Sequence, residues 1–247
     1  MSLLKIEHLN KAFGTLVVTR DLTLEVAEGE RHVIIGPNGA GKTSLINQIG
    51  GQLIPDSGRI LIRGVDVTGL PPEALVEHGL ARTFQKNTLF PRLSVFENVR
   101  LGVQARYGSA FDLVVRALHL IDINKRAFTT LDRMKLDHLA GHVVSSLSYG
   151  DQRQLEVAVA LAGDPSLLLL DEPTSGLSPT ETRQMIETIK ALPSEIGIVM
   201  IEHDMEVVFS IADRITVLYY GEMLASGPPD QIAGDQRVRE VYLGASI

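Results

Sequence analysis

The chain has 247 residues, 45% hydrophobic and 21% charged, and a chain of this length can bury roughly three quarters of its unfolded surface without covalent staples. It has no Cys, which excludes disulfides, thiolate metal sites and a Cys nucleophile. Its 23 basic against 30 acidic residues give a charge of −7 with no basic block, against a broad nucleic-acid footprint. The opening MSLLKIEHLN carries no apolar stretch of the kind a signal peptide has. No window approaches the ~20 apolar residues that cross a bilayer. If the protein works at a membrane, other chains are expected to hold it there.

In chain order, residues 3–26 read as strands, with Leu22, Leu24 and Val26 alternating with Thr23 and Glu25. RHVIIGPNGAGKTSLINQIGG reads as a short buried strand, a Gly-rich loop and a helix stopped at Gly50 and Gly51. After the turn Pro55-Asp56-Ser57-Gly58, residues 58–67 alternate again, and Leu80 to Phe84 form a further short strand. From about Phe90 to Ala162 the pattern is helical. Ser94 and Glu97 make a capping box, and Leu113, Val114, Ala117, Leu118 and Ile121 form an apolar stripe expected to be a packing face. Strands return at 167–173, 197–204 and 214–220 as continuous apolar runs, the mark of parallel strands covered on both faces. A helix lies between the first two, with Ser178 as cap, Pro179 at its first position and Glu181 closing the box.

Residues 36–43, GPNGAGKT, match G-x-x-x-x-G-K-[ST] in full. The glycines let successive amides turn toward phosphate oxygens, Lys42 can reach the β- and γ-phosphates, and the Thr43 hydroxyl is a ligand for Mg²⁺. The helix that follows adds its positive dipole end. A Gly-rich turn matching by chance would not come with the required strand before it and helix after it. LLLLDE at 167–172 supplies the acidic groups: Asp171 to hold Mg²⁺, directly or through water, and Glu172 to accept a proton from an attacking water. His203 ends the strand that follows and can donate to a γ-phosphate and orient the water. His138 and His142 are four apart, but Gly141 between them and the want of a third ligand favour a solvated loop.

Taken together these residues resemble the nucleotide-binding subunit of an ATP-binding cassette (ABC) transporter, over essentially the whole chain. LSYGDQRQ at 147–154 is similar to the family signature LSGGQ, with Tyr149 in place of the first Gly and Asp151 in place of Gln. Ser148 would cap a helix there, so that Ser148, the Gly150 amide and the dipole form a second anion site. Ser175-Gly176-Leu177-Ser178 stands where the family has SALD. The resemblance implies an α/β fold: a P-loop NTPase cassette with a mostly parallel core sheet, an N-terminal antiparallel β subdomain and an inserted α-helical subdomain. It implies one ABC ATPase domain over 1–247, with 1–89 and 156–247 as the nucleotide-binding core and 90–155 as the helical subdomain. It also implies an ATPase using ATP and Mg²⁺, with Glu172, His203, Gln85 and Lys42 as catalytic residues. Nucleotide contacts would come from Phe13, Gly36, Pro37, Asn38, Gly39, Ala40, Gly41, Lys42, Thr43, Ser44, Ser148 and Gly150, and metal ligands from Thr43, Gln85 and Asp171.

In this family two cassettes pair head to tail around two ATP, as a homodimer or as a heterodimer with a second ABC ATPase. The further partners implied are integral-membrane permease subunits and, indirectly, a periplasmic solute-binding protein, with no nucleic acid. The place implied is the cytoplasmic face of the inner membrane. ArgThrPheGln at 82–85, LSYGDQR, IEHDM at 201–205 and VYLG at 241–244 resemble the ATPases of branched-chain amino acid importers. ATPases for urea or amides, aromatic acids and lipopolysaccharide export are similar. A soluble ABC ATPase of DNA maintenance or translation would carry a long coiled coil, a zinc module or a second cassette. A kinase would have no use for the signature helix, and a GTPase would show an NKxD-type base reader.

Overall fold

The computed structural model describes residues 2–83, 89–107 and 116–243, with 116–120 and 242–243 by backbone alone. The chain packs as two compact units: Met1–Leu80 with Ser166–Glu172 and Leu192–Ile247, and Ala81–Pro165 with Pro173–Ala191.

The first unit holds one sheet and most of a second. In the antiparallel one, β1 (Ser2–Phe13) and β2 (Leu16–Ala27) form a long hairpin, and β4 (Ser57–Ile62) and β5 (Val65–Asp66) extend it in the order β2-β1-β4-β5. Leu22, Leu24 and Val26 are buried along β2 while their neighbours are exposed, as a one-sided sheet requires. The second sheet runs β10-β9-β3-β8-β7-β6, where β3 is Arg31–Ile35, β6 Leu80–Arg82, β7 Leu167–Asp171, β8 Gly197–Ile201, β9 Arg214–Tyr219 and β10 Glu222–Gly227. Strands β7, β8, β3 and β9 are parallel, and β10 returns antiparallel on β9. Every residue of β7 and β8 is buried, so the four-Leu run fills a strand covered on both faces. Leu4, Ile6, Ile34, Leu45, Ile46, Leu169 and Val199 belong to the core cluster that joins the sheets to helix α1 (Lys42–Ile49).

Register decides what the parallel sheet can present. Asp171 on β7 pairs with Ile201 on β8, and Ile201 is also paired with Ile34 on β3. The three strands therefore end level, and their carboxyl ends lead into Glu172, His203 and the Gly-rich loop, at the edge where open α/β sheets bind ligands. Past β8, α7 (Met205–Ile211) is capped by Asp204, and α8 (Pro229–Gly234) and α9 (Gln236–Leu243) follow β10.

The second unit is built from α3 (Val95–Tyr107), α4 (Arg116–Arg133), α5 (Tyr149–Leu161) and α6 (Pro179–Lys190), with α3 against α4 and α5, and α5 against α6. The Ser94–Glu97 capping box is present, each partner bonding the other's amide. Of the expected stripe from Leu113 to Ile121, Leu113 and Val114 lie outside the described residues, Ala117 and Leu118 are described by backbone alone, and Ile121 departs from it at 65% exposed. Ile123, Ala127 and Leu131 are buried along α4. Ile121 and Ile123 lie about 200° apart around the helix, so apolar residues occur on both sides and tertiary packing selects one.

Candidate functional site

The turn from β3 into α1 needs its glycines for steric reasons. Gly41 sits at φ 100°, and a Cβ there would run into the Val18 carbonyl oxygen, so no L side chain fits. Gly41 is also the N-cap of α1, and no side chain caps this helix. The orphan amides of the first turn, which holds Lys42, Thr43 and Ser44, and the helix dipole can therefore serve an anion. Lys42 donates from Nζ to the carbonyls of Gly36 at 2.6 Å and Pro37 at 3.0 Å, so the ammonium is folded back over its own loop. Burial pushes the Lys42 amine below its ordinary pKa, opposed by the charges of Glu172 and then Asp171. An anion seated in the loop would favour the charged amine. Asn38 and Gly39 are exposed, while Gly36 and Ala40 are buried. A cavity of about 630 Å³ adjoins residues 37–40 and is bounded by Tyr219, Tyr220, Leu224, Arg237, Glu240 and Val241. The elements that shape its far side, β10 and α9, had no counterpart in the sequence reading.

Asp171 is 3% exposed at the end of β7. Glu172 follows at φ 49°, a left-handed backbone that costs a non-Gly residue energy, and its N–H donates to the Ile201 carbonyl at 3.0 Å. His203 Nδ1 stands 4.0 Å from Glu172 Oε1, outside hydrogen-bond range but close enough to interact as a charge when protonated. One residue missed by the sequence reading is Glu202, fully buried, whose Oε2 accepts from the His203 amide at 3.2 Å. Its signal was a lone carboxylate in an apolar strand context. Lys42, Asp171, Glu172 and His203 are thus brought together by the strand ends. Thr43 and Asp171 offer a hydroxyl and a carboxylate oxygen, the hard donors that suit Mg²⁺.

Phe13 closes β1 opposite Leu16, is 53% exposed, and has the Lys11 ammonium 5.6 Å from its ring centre. That leaves an aromatic face open to stacking. Gln85 lies outside the described residues.

Ser148 and Gly150 belong to the second unit. Ser148 caps α5, accepting from the Asp151 amide at 3.1 Å and donating to the Asp151 carboxylate at 2.7 Å. The Gly150 amide donates to Glu181 Oε1 at 3.2 Å. The Tyr149 ring lies beside Gly176, where an added Cβ would stand 3.2 Å from it, and its hydroxyl donates to the Ser175 carbonyl at 3.4 Å while accepting from Arg153 Nε at 3.0 Å. Tyr149, which departs from LSGGQ, and Gly176 and Ser178, which depart from SALD, therefore lie on one contact between the start of α5 and residues 175–181.

Known proteins share this fold. Residues 19–175 match the model of the ABC transporter family, and 222–246 match that of the branched-chain amino acid ATP-binding cassette transporter. The chain is 37% identical to the high-affinity branched-chain amino acid transport ATP-binding protein LivG of Escherichia coli K12, over 98% of both chains. It superposes on the ADP conformation of MJ1267, an ATP-binding cassette of an ABC transporter, with a TM-score of 0.86 and 28% identity over 99% of both chains. A dimeric post-hydrolysis state of the cassette MJ0796, bound to ADP and Pi, aligns with a TM-score of 0.76 and 27% identity over 92% of this chain and 98% of that one.

Proposed function

The chain belongs to the ATP-binding subunits of ABC transporters and is an ATPase, and we propose that it powers uptake of branched-chain amino acids through separate membrane permease subunits. The observation that carries the ATPase chemistry is the level ending of β3, β7 and β8, which sets Lys42, Asp171, Glu172 and His203 at one edge. The cargo is supported by likeness to LivG and by the match at 222–246. That likeness also supports a place at the cytoplasmic face of the membrane. No helix among the described residues is long and apolar enough to cross it.

Residues 36–44 cradle the triphosphate of ATP with backbone amides and the α1 dipole, and Lys42 leaves its own loop carbonyls for the β- and γ-oxygens. Thr43 and Asp171 would hold Mg²⁺, with Gln85 as the third ligand carried over from the family; the ion supplies charge neutralisation at those oxygens. Glu172 takes a proton from water as the water oxygen attacks the γ-phosphorus and the bond to the ADP oxygen breaks in line. His203 orients that water and donates to the γ-phosphate. Phe13 stacks on the base. Ser148 and Gly150 of a second cassette close the site from the other side, so two chains share two ATP. Residues 90–155 would form the helical subdomain that turns this closure into work on the permease.

The test is recovery of the tagged chain with its assembly from gently solubilised native membranes. Membrane-spanning subunits and a solute-binding protein selective for leucine, isoleucine or valine support the proposal. A permease partnered by a binding protein for urea or aromatic acids would overturn the cargo alone. In that assembly Glu172→Gln should lower turnover by about 10²-fold or more, the scale of losing a general base, while MgATP still binds. Undiminished turnover would remove Glu172 from the role of base.

A further inference from the structure

The start of α5 is not bare. Its two phosphate donors, as the proposed function assigns them, already serve carboxylates of the same chain. The Ser148 hydroxyl donates to Asp151, and the Gly150 amide donates to Glu181. Asp151 is local, one turn into α5. Glu181 comes from α6, and its two oxygens are divided. Oε2 accepts from the Ser178 amide at 2.9 Å and from the Ser178 hydroxyl at 2.6 Å, completing the capping box of α6, while Oε1 reaches the Gly150 amide at 3.2 Å. A Cβ on residue 150 would sit against that carboxylate, so Gly150 is needed for the approach even though its own backbone is helical. These hydrogen bonds hold the Glu181 carboxyl below its usual range, the Ser178 hydroxyl contributing most. The group is a fixed negative charge at neutral pH.

We infer that Glu181 is a positioning residue for nucleotide-driven closure: it holds the Gly150 amide on an internal anion that the γ-phosphate of the partner site must replace. The inference depends on reading residues 148–150 as the part that completes a partner's nucleotide site. A phosphate approaching α5 meets a dipole already satisfied and a carboxylate of its own sign beside the donor. Binding is then an exchange of one anion for another. Oε1 is released while Oε2 can stay on Ser178, so the α6 cap survives. The same exchange releases the start of α6 from α5 at this point, while the Tyr149 hydroxyl still bonds Ser175. Glu181 thereby sets how much ATP is needed for closure without touching the reacting atoms.

Glu181→Gln removes the charge and keeps an oxygen for the Ser178 cap. In the assembly purified from native membranes, it should lower the KM for MgATP about two- to fivefold, the range of one charge at a helix terminus, with kcat unchanged. Glu187→Gln, the same charge change on the exposed side of α6, should leave both constants as they are. A residue acting only as a helix cap would lower Tm and leave KM where it was. If Glu181→Gln does not fold, Glu181→Asp retains the charge on the cap and stops short of Gly150, and is held to the same fall in KM. A KM unchanged or raised in an assembly that turns over would overturn the role of Glu181 alone. A tagged chain that recovers neither membrane subunits nor MgATP turnover would overturn the transporter reading and this role with it.

Discussion

Beneath the Gly-rich loop, strand β3 carries a polar chain through the core. His32 is fully buried, with Nδ1 2.7 Å from Glu30 Oε1 and Nε2 2.7 Å from the Thr216 hydroxyl, which meets Ser226 at 2.9 Å. A carboxylate only accepts, so Nδ1 donates, and the chain ties β3 to β9 and β10 with its buried groups paired. Burial pushes the Glu30 carboxyl up, but hydrogen bonds from His32 and the Ala27 amide, with the charges of His32 and Arg214, outweigh it and leave the group below its ordinary value. A carboxyl whose pKa is lowered by folding stabilises the fold above its unfolded value, about 4.3, and that stabilisation is lost as pH falls through the folded value. Urea melts of the wild type should thus lose stability on acidification below about pH 4.3. Glu30→Gln should be less stable at neutral pH and show a shallower loss over that range. Parallel pH profiles for the two proteins would show that Glu30 does not titrate with folding.

At the scale of elements, caps and turns set where each segment starts, and these were legible. Ser94 with Glu97 and Ser178 with Glu181 form the reciprocal bonds that their three-residue spacing announced. Ser94→Ala should cost about 1 kcal/mol, as the loss of such caps does, and lower Tm by about 2–4 °C in a chain of this size. A Tm unchanged by Ser94→Ala would mean that the backbone hydrogen bonds around the Ser94–Val143 bridge fix the start of α3 without the cap. Legibility stops where contacts are distant in sequence. The loop 36–41, Asp171, Glu172 and His203 could be read because each follows or ends an apolar strand. Glu181 could be read as a cap but not as the partner of Gly150, because that bond spans 31 positions and depends on α5 packing against α6. The exposure of Ile121 was hidden for the same reason, since α4 has apolar residues on two sides. Strand β10 escaped because it is only half-buried on the sheet's outer edge. The exposed face of the Phe13 ring was visible only as an aromatic before Gly.

For the whole molecule, the proposed function divides one reaction between the two units: one has the loop, the acid pair and His203, the other has the signature helix. Neither half hydrolyses ATP by itself in the proposed cycle, so activity should depend on how many chains meet. Each chain carries −7, and two ATP add further negative charge to the closed pair. Closure must therefore draw on specific phosphate contacts against general repulsion. Any ligand that binds only the folded state raises its stability, by about 2.7 kcal/mol at a hundred times its dissociation constant. For a ligand shared between chains, that gain also depends on protein concentration. Glu172→Gln with MgATP should thus melt higher as the protein concentration rises, whereas MgADP should give a shift that protein concentration leaves alone. Concentration dependence with this chain by itself would establish a homodimer. Its appearance only on adding the second cassette of the assembly would establish a heterodimer. If MgATP shifts Tm equally at every concentration in both cases, each chain binds its nucleotide alone, and the shared-site mechanism is wrong.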